Sequence, residues 1–421
     1  MKRRFNLLAK TIGVLSLALA LNACGGRSGT DSTAIRLLNG KIEIDAQLKA
    51  FARDYQARTG QEVIIESLGG GVDLAGQIRN YRTARNMPDI FFTEPSGMEQ
   101  FADLYLDLSD EPWVKATDMS LTDSNGKVIG APYAVEGLGL IYNADILSRA
   151  GIDPDTLTNI NAQRAAFERI NSMRGELGLQ AVISVAAESG QMFWSTGNHI
   201  FSAYLTMGVP RGDRRLINML NRGEVDTARL TQFANYVKLL FDHADPGVLL
   251  SGTYDDQLAL FATGRTAFLT QGNWIDPSLP SYNVSFDCGI LPYAFLETDT
   301  PGATADSPSW WAVYRGSSRI EEVKAFLNDI LLSEAGQRMF VEGTGAISAF
   351  RDSQFSPTTP VSANLYKRMQ SAPTYAWDWL YMPMGIAQSA TGMVFELYAR
   401  ESINREQFVS MLSQAIAGFV R

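Results

Sequence analysis

AIRLLNGKIEIDAQLKAFARDYQARTGQEVIIESL, residues 34–68, decides the fold class. AIRLLNG reads as a strand. In DAQLKAFARDYQARTG the apolar residues Leu48, Phe51 and Tyr55 recur at helical spacing, and Gly60 closes the helix. QEVIIESL is a second β-rich run. The next section, DLAGQIRNYRTARNMPDIFFTE (73–94), continues with a helix and a short strand around Asp89 to Phe92. Strand, helix, strand, helix, strand predicts an α/β sheet. Gly69, Gly70 and Gly71 between these units have the spacing of neither common nucleotide fingerprint, so they read as a turn.

Further along, residues 145–255 read as mainly helical. TARLTQFANYVKLLFDH carries Leu230, Phe233, Tyr236 and Leu240 at helical spacing. RIEEVKAFLNDILLSEAGQRMF and REQFVSMLSQAIAGFV have the same style. The 421 residues, 46% apolar and 19% charged, are a globular composition long enough for two or three domains or one large one.

The first residues follow a different logic. Lys2, Arg3, Arg4 and Lys10 precede an apolar run that is short for a membrane span and ends at Cys24. A basic head, a short apolar stretch and small residues describe an export signal. LNAC, residues 21–24, resembles a bacterial lipobox, which implies cleavage before Cys24 and its lipidation. The expectation is a signal peptide over 1–23 and a flexible tether over 24–33. Removing 1–23 moves the formal charge from -9 to -13, which disfavours nonspecific nucleic-acid binding. Cys288 is then left without an intrachain partner and reads as a small buried residue. With only His199 and His243 present, a His-rich metal centre is excluded. No cofactor motif is found.

Several segments together resemble the sugar-binding, maltose-binding-protein-like family (family 1) of extracellular solute-binding lipoproteins of bacterial ABC importers. They are NMPDIFF (86–92), FADLYLDLSD (101–110), GKVIGAPYAVEGLGLIYNADILSRAGID (126–153), ALFATGRTAFLTQGNW (259–274) and the run from Ser309 to Phe350. ALFATGRTAFLTQGNW carries the family's Gly-x-Trp turn as Gly272, Asn273 and Trp274. The chain departs at Ser348, where the family often has proline. The resemblance implies an α/β, two-lobed periplasmic-binding-protein type II fold with discontinuous lobes joined by crossing strands. It places 34–138 and 270–335 mainly in an N-terminal lobe, and 139–269 and 336–421 mainly in a C-terminal, helix-rich lobe. It implies a carbohydrate ligand held between the lobes, delivery to the transmembrane permease subunits served by a separate ATPase, a membrane anchor through lipid on Cys24, and a monomer.

A neutral sugar needs flat rings for its C–H faces, and carboxylates and amides for its hydroxyls. Trp274 is the best stacking platform. Gln271 and Asn273 either bind hydroxyls or cap the turn, and Asp276 either touches ligand or orients the loop. Trp194 lies in the cleft or packs. Trp310 and Trp311 alternate in a strand, so one faces the ligand at most; Trp310, on the loop side, is the candidate. Glu94 ends the DIFF strand as cleft residue or solvent cap, and Tyr133 and Glu136 are ligand contacts or hinge. In YAWDWLYMP (375–383), Trp377 and Asp378 belong to a pocket wall or a hydrophobic plug. The basic stretch from Arg211 to Arg222 reads as a solvated face.

Other functions fit these residues less well. A peptide or another polar solute would need a charged clamp, and the proposed turns are richer in Trp and amides than in Arg. A glycoside hydrolase needs two paired carboxylates, and no spacing establishes a pair. No GxSxG elbow occurs. An adhesion protein would use exposed patches instead of a cleft.

Overall fold

The computed structural model describes residues 33–69 and 72–421. The signal, the lipobox with Cys24, nearly all of the tether, and Gly70 and Gly71 lie outside the described residues. From Ala34 onward the chain forms one body. Its strands, in chain order, are β1 Ile35–Asn39, β2 Val63–Ser67, β3 Ile90–Thr93, β4 Leu121–Thr122, β5 Val128–Pro132, β6 Glu136–Asn143, β7 Ile183–Ser184, β8 Phe268–Gly272, β9 Cys288–Leu291, β10 Ala303–Asp306, β11 Trp310–Val313 and β12 Thr374–Tyr375. They form two mixed sheets. One runs β2-β1-β3-β11-β5-β4. The other runs β12-β10-β6-β8-β7, with β9 also paired to β6.

The opening stretch forms the first sheet for the reason its pattern gives. The helix Asp45–Thr59 buries Leu48, Phe51, Ala52 and Tyr55, and Gly60 ends it at φ 81°, a conformation glycine adopts without strain. That crossover makes β1 and β2 parallel, and Leu74–Thr83 makes β1 and β3 parallel. The helix Ile320–Leu332 covers the same side: Phe326 meets Phe51 and Tyr55 edge-on at 6.2 and 5.1 Å. In the second lobe, the helix Thr227–Asp242 buries Leu230, Phe233, Tyr236 and Leu240. Cys288 is buried in β9, and burial pushes its thiol up to about 12.

The chain crosses between the sheets at Tyr133–Val135 and at Ser307–Ser309, and again after Gly343. The crossings are bonded to one another. The hydroxyls of Tyr133 and Ser309 lie 2.6 Å apart, and the Val135 N–H donates to the Ile347 carbonyl at 2.7 Å. The lobe boundaries expected at 138/139 and 269/270 fall inside β6 and β8, both strands of the second sheet. Strands β9 and β10 also join that sheet, whereas the helix Ile320–Leu332 and the turn Met339–Gly343 pack with Asp45–Thr59. A crossing strand is as apolar on one side of the crossing as on the other, so composition does not mark it.

Candidate functional site

Strand β8 is buried throughout and ends at Gly272. A Cβ there would lie 2.0 Å from the Trp274 ring and 2.3 Å from the Gly137 carbonyl oxygen. Glycine is required because the indole folds back over it. The polar residues of this turn are all committed within the protein. The Trp274 indole N–H donates to Gln271 Oε1 at 3.0 Å, and Gln271 Nε2 donates to Gln257 Oε1 at 2.8 Å. Asn273 Oδ1 accepts from the Gly137 N–H at 2.8 Å, and its Nδ2 donates to Ser362 Oγ at 2.9 Å. Asp276 caps the helix Pro360–Ser371. It accepts from Thr359 Oγ1 at 2.7 Å, the Ser362 N–H at 2.8 Å and the Val361 N–H at 3.1 Å. Burial raises its pKa against those bonds.

Trp274 faces a small cavity of about 20 Å³, lined also by Lys41, Glu43, Tyr133, Glu136 and Phe340. Lys41 follows β1 and reaches across to the second lobe. Its ammonium lies 2.5 Å from Glu136 Oε2 and 5.4 Å from the Trp274 ring centre. Burial works to lower its pKa, but Glu136 and Glu43 outweigh burial and hold it above its ordinary value. Burial also raises Glu43, with Lys41 opposing. Glu94, half-buried at the end of β3, is pushed up to about 7 by burial, again against Lys41. Its carboxylate has no hydrogen-bond or ion-pair partner among the described residues. Tyr133 stacks on Trp311 at 4.7 Å, and burial drives its phenol well above the usual range.

Beside Trp274 stands a box of rings. The π-helical turn Ser195–Ile200 carries His199, a wider winding often found at functional sites. The imidazole centre lies 5.0 Å from Trp274, 5.2 Å from Trp194, 5.3 Å from Trp379 and 6.3 Å from Trp377. Burial first, and the Lys41 ammonium second, push His199 down to about 3, so the ring is neutral. Trp377 and Trp379 are 5.9 Å apart on one side of the short 3-10 turn Asp378–Tyr381. The indole N–H groups of Trp194, Trp377 and Trp379, and the Tyr254 hydroxyl, are buried without a partner among the described residues. Asp378 has none either, and burial lifts it to about 6 against Arg214.

The expected residues thus fall into groups. Trp274, Asn273, Tyr133 and Glu136 line the cavity. Trp194 and Trp377 join Trp274 in the box. Gln271 and Asp276 sit behind the wall, holding it. Trp310 donates its indole N–H to the Met119 carbonyl at 2.6 Å and lines no part of the cavity, while Trp311 is fully buried. Arg211 and Arg214 of the basic stretch are braces. Arg211 pairs with Asp306 at 2.8 Å, and Asp306 accepts from the Trp377 backbone N–H. Arg214 lies 3.7 Å over the Tyr381 ring. Lys41, Glu43, His199 and Tyr254 escaped the sequence reading, whereas Trp379 belongs to the aromatic run YAWDWLYMP that it singled out. Of these, His199 had a signal, since it lies five residues from Trp194 in MFWSTGNH. No cluster of three or more His, Cys, Asp or Glu able to hold a metal occurs among the described residues.

The model of the family described as bacterial extracellular solute-binding protein matches residues 50–366. The chain belongs to that family. The solute-binding protein is 22% identical, over 88% of its length and 87% of the relative's, to the melibiose/raffinose/stachyose-binding protein MelE of Bacillus subtilis. It is also 22% identical, over 83% and 82%, to a maltooligosaccharide ABC transporter solute-binding lipoprotein of Streptococcus pneumoniae. Among solved structures it matches a Bacillus licheniformis sugar transporter in complex with stachyose (TM-score 0.73, 19% identity, 92% of this chain and 100% of that one). It likewise matches the binding protein RafE in complex with raffinose (TM-score 0.74, 15% identity, 92% and 100%). The α/β fold of the solute-binding protein is that of these structures.

Proposed function

We propose that this solute-binding protein is the extracytoplasmic receptor of an ABC importer and takes an oligosaccharide between its two lobes. The observation that carries the reading is the ring box. Four indoles offer flat apolar faces, and three of their N–H groups are buried and unbonded, so they suit the C–H faces and oxygens of a sugar. A peptide would want an Arg or Lys clamp for its carboxylate terminus. Lys41, the cation on the cavity wall, is already paired to Glu136. The names of the relatives, all binders of oligosaccharides or other sugars, support the same class.

A cavity of about 20 Å³ has room for about one water. A saccharide therefore enters only when the lobes separate about the crossings. Glu94 and Asp378, free of partners, and Trp274, Trp194 and Trp377 are the contacts we assign to the ligand. Tyr133 and Glu136 lie at the hinge as well as on the wall. The ligand leaves unchanged, handed by the monomeric receptor to permease subunits driven by a separate ATPase. Lipid on Cys24 holds the receptor at the membrane, and mass spectrometry of the membrane-extracted protein tests that anchor.

Calorimetry against raffinose, stachyose, maltotriose and a tripeptide panel tests the main reading. Saturable binding of at least one saccharide is expected. Saturable peptide binding with no saccharide response would overturn it.

A further inference from the structure

His199 is the one imidazole inside the box, and it is only partly buried. The imidazole touches four tryptophans within 6.3 Å. Neither ring nitrogen has a hydrogen-bond partner among the described residues. The surroundings hold the ring neutral, so it presents one N–H donor and one bare acceptor nitrogen. A leucine or phenylalanine would fill the same space and offer a ligand no polar atom. The turn that carries it is a π-helical winding, and the matching π-helical turn Ala387–Thr391 packs against it: a Cβ on Gly197 would lie 3.1 Å from Ala387 Cβ. The backbone is fixed from behind, and the imidazole is held forward among the indoles.

We propose that His199 is a specificity-determining residue of the carbohydrate site, donating through one ring nitrogen to a ligand oxygen and accepting a ligand hydroxyl proton at the other. It rests on the carbohydrate reading above. The neighbouring indole N–H groups of Trp194, Trp377 and Trp379 can only donate. Among the nitrogen-bearing rings of the box, His199 is therefore the one able to accept from a hydroxyl. It selects saccharides that place a hydroxyl and a second oxygen against one ring edge. A sugar lacking that hydroxyl leaves the acceptor nitrogen buried and unbonded, which is the strongest kind of discrimination a binding site makes.

The test compares wild type, His199→Phe and His199→Gln in calorimetry with raffinose, stachyose and maltotriose, together with the thermal midpoint of each ligand-free protein. His199→Phe keeps a flat ring and removes both polar atoms. Its midpoint should match or exceed wild type, while affinity for the preferred saccharide falls about tenfold or more. His199→Gln restores a donor and an acceptor and should recover part of that loss. Unchanged affinity in His199→Phe would overturn the proposal and leave the carbohydrate reading standing. Equal weakening in both variants, with lowered midpoints, would also overturn it, since that pattern belongs to packing. If wild type itself binds no saccharide, the carbohydrate reading fails and the role of His199 falls with it.

Discussion

Two neighbouring regions of the cavity handle polar atoms in opposite ways. The turn Gln271–Asp276 has two amides and a carboxylate, all bonded to the protein. The box of Trp194, His199, Trp377 and Trp379 has three indole N–H groups buried and bonded to nothing in the described protein, around an imidazole that is only partly buried. Buried polar groups are rarely left unpaired without a use. On the reading proposed above, the difference separates the residues that hold the wall from those that would meet a ligand. By sequence, the turn looked like the sugar reader. By bonding, Asn273 and Gln271 are the frame on which Trp274 is mounted.

Variants break or sharpen that contrast. Trp274→Ala should cost the ligand-free protein about 3–5 kcal/mol in denaturant unfolding, since the ring is 8% exposed and Gln271 loses its donor. A cost under about 1 kcal/mol would place Trp274 with the loosely bonded box. Asp276→Ala should cost about 2–3 kcal/mol in the same measurement, by uncapping the helix Pro360–Ser371. The carboxylate is framework on this account, so sugar affinity per folded molecule should hold.

Glu94 extends the unbonded class to the first lobe, and its sign is fixed by its pKa. The folded protein favours the protonated acid up to about 7, well above the unfolded value. Its contribution to stability is therefore present at low pH and lost as pH rises from about 4 to 7. Glu94→Gln should match wild type near pH 4 and exceed it by about 1–2 kcal/mol at pH 8, allowing for solvent screening at a half-buried site. An equal gain at both pH values would remove ionisation as its cause. His199 has the opposite sign, because its depressed pKa favours the fold above about 6.5 and penalises it as pH falls towards 3. The smallest stability change is expected for Trp379→Phe, within about 1 kcal/mol, because a lost ring is offset by removal of an unbonded donor. Affinity for the preferred saccharide should nonetheless fall severalfold.

Much of the fold was legible because periodicity survives burial. The strand and helix of 34–60 and the helices at 227–242, 320–332 and 405–420 follow their apolar spacing directly. The lobe boundaries were not legible, since β6 runs apolar and buried from Glu136 to Asn143 with no break at the expected division. For the site, residue type located the rings but not the bonding. Nothing in TQGNWID says that Asn273 bonds Gly137 or that Asp276 caps a helix more than 80 residues later. Lys41 was hidden for a similar reason. A lysine after a strand is ordinarily solvated, and only the fold brings Glu136 to it.

The crossings tied by Tyr133, Ser309, Val135 and Ile347 have a mechanical consequence. Links that are clamped side by side cannot flex independently, so on the receptor reading proposed above any opening of the lobes would turn about a shared axis. Lys41 spans that axis like a strut, with its foot on Glu136 beside the crossing itself. A molecule that displaces the strut alters the turning angle directly. On the receptor reading proposed above, occupancy of the site would thus be felt where the lobes join, a signal legible from outside without any contact to the ligand.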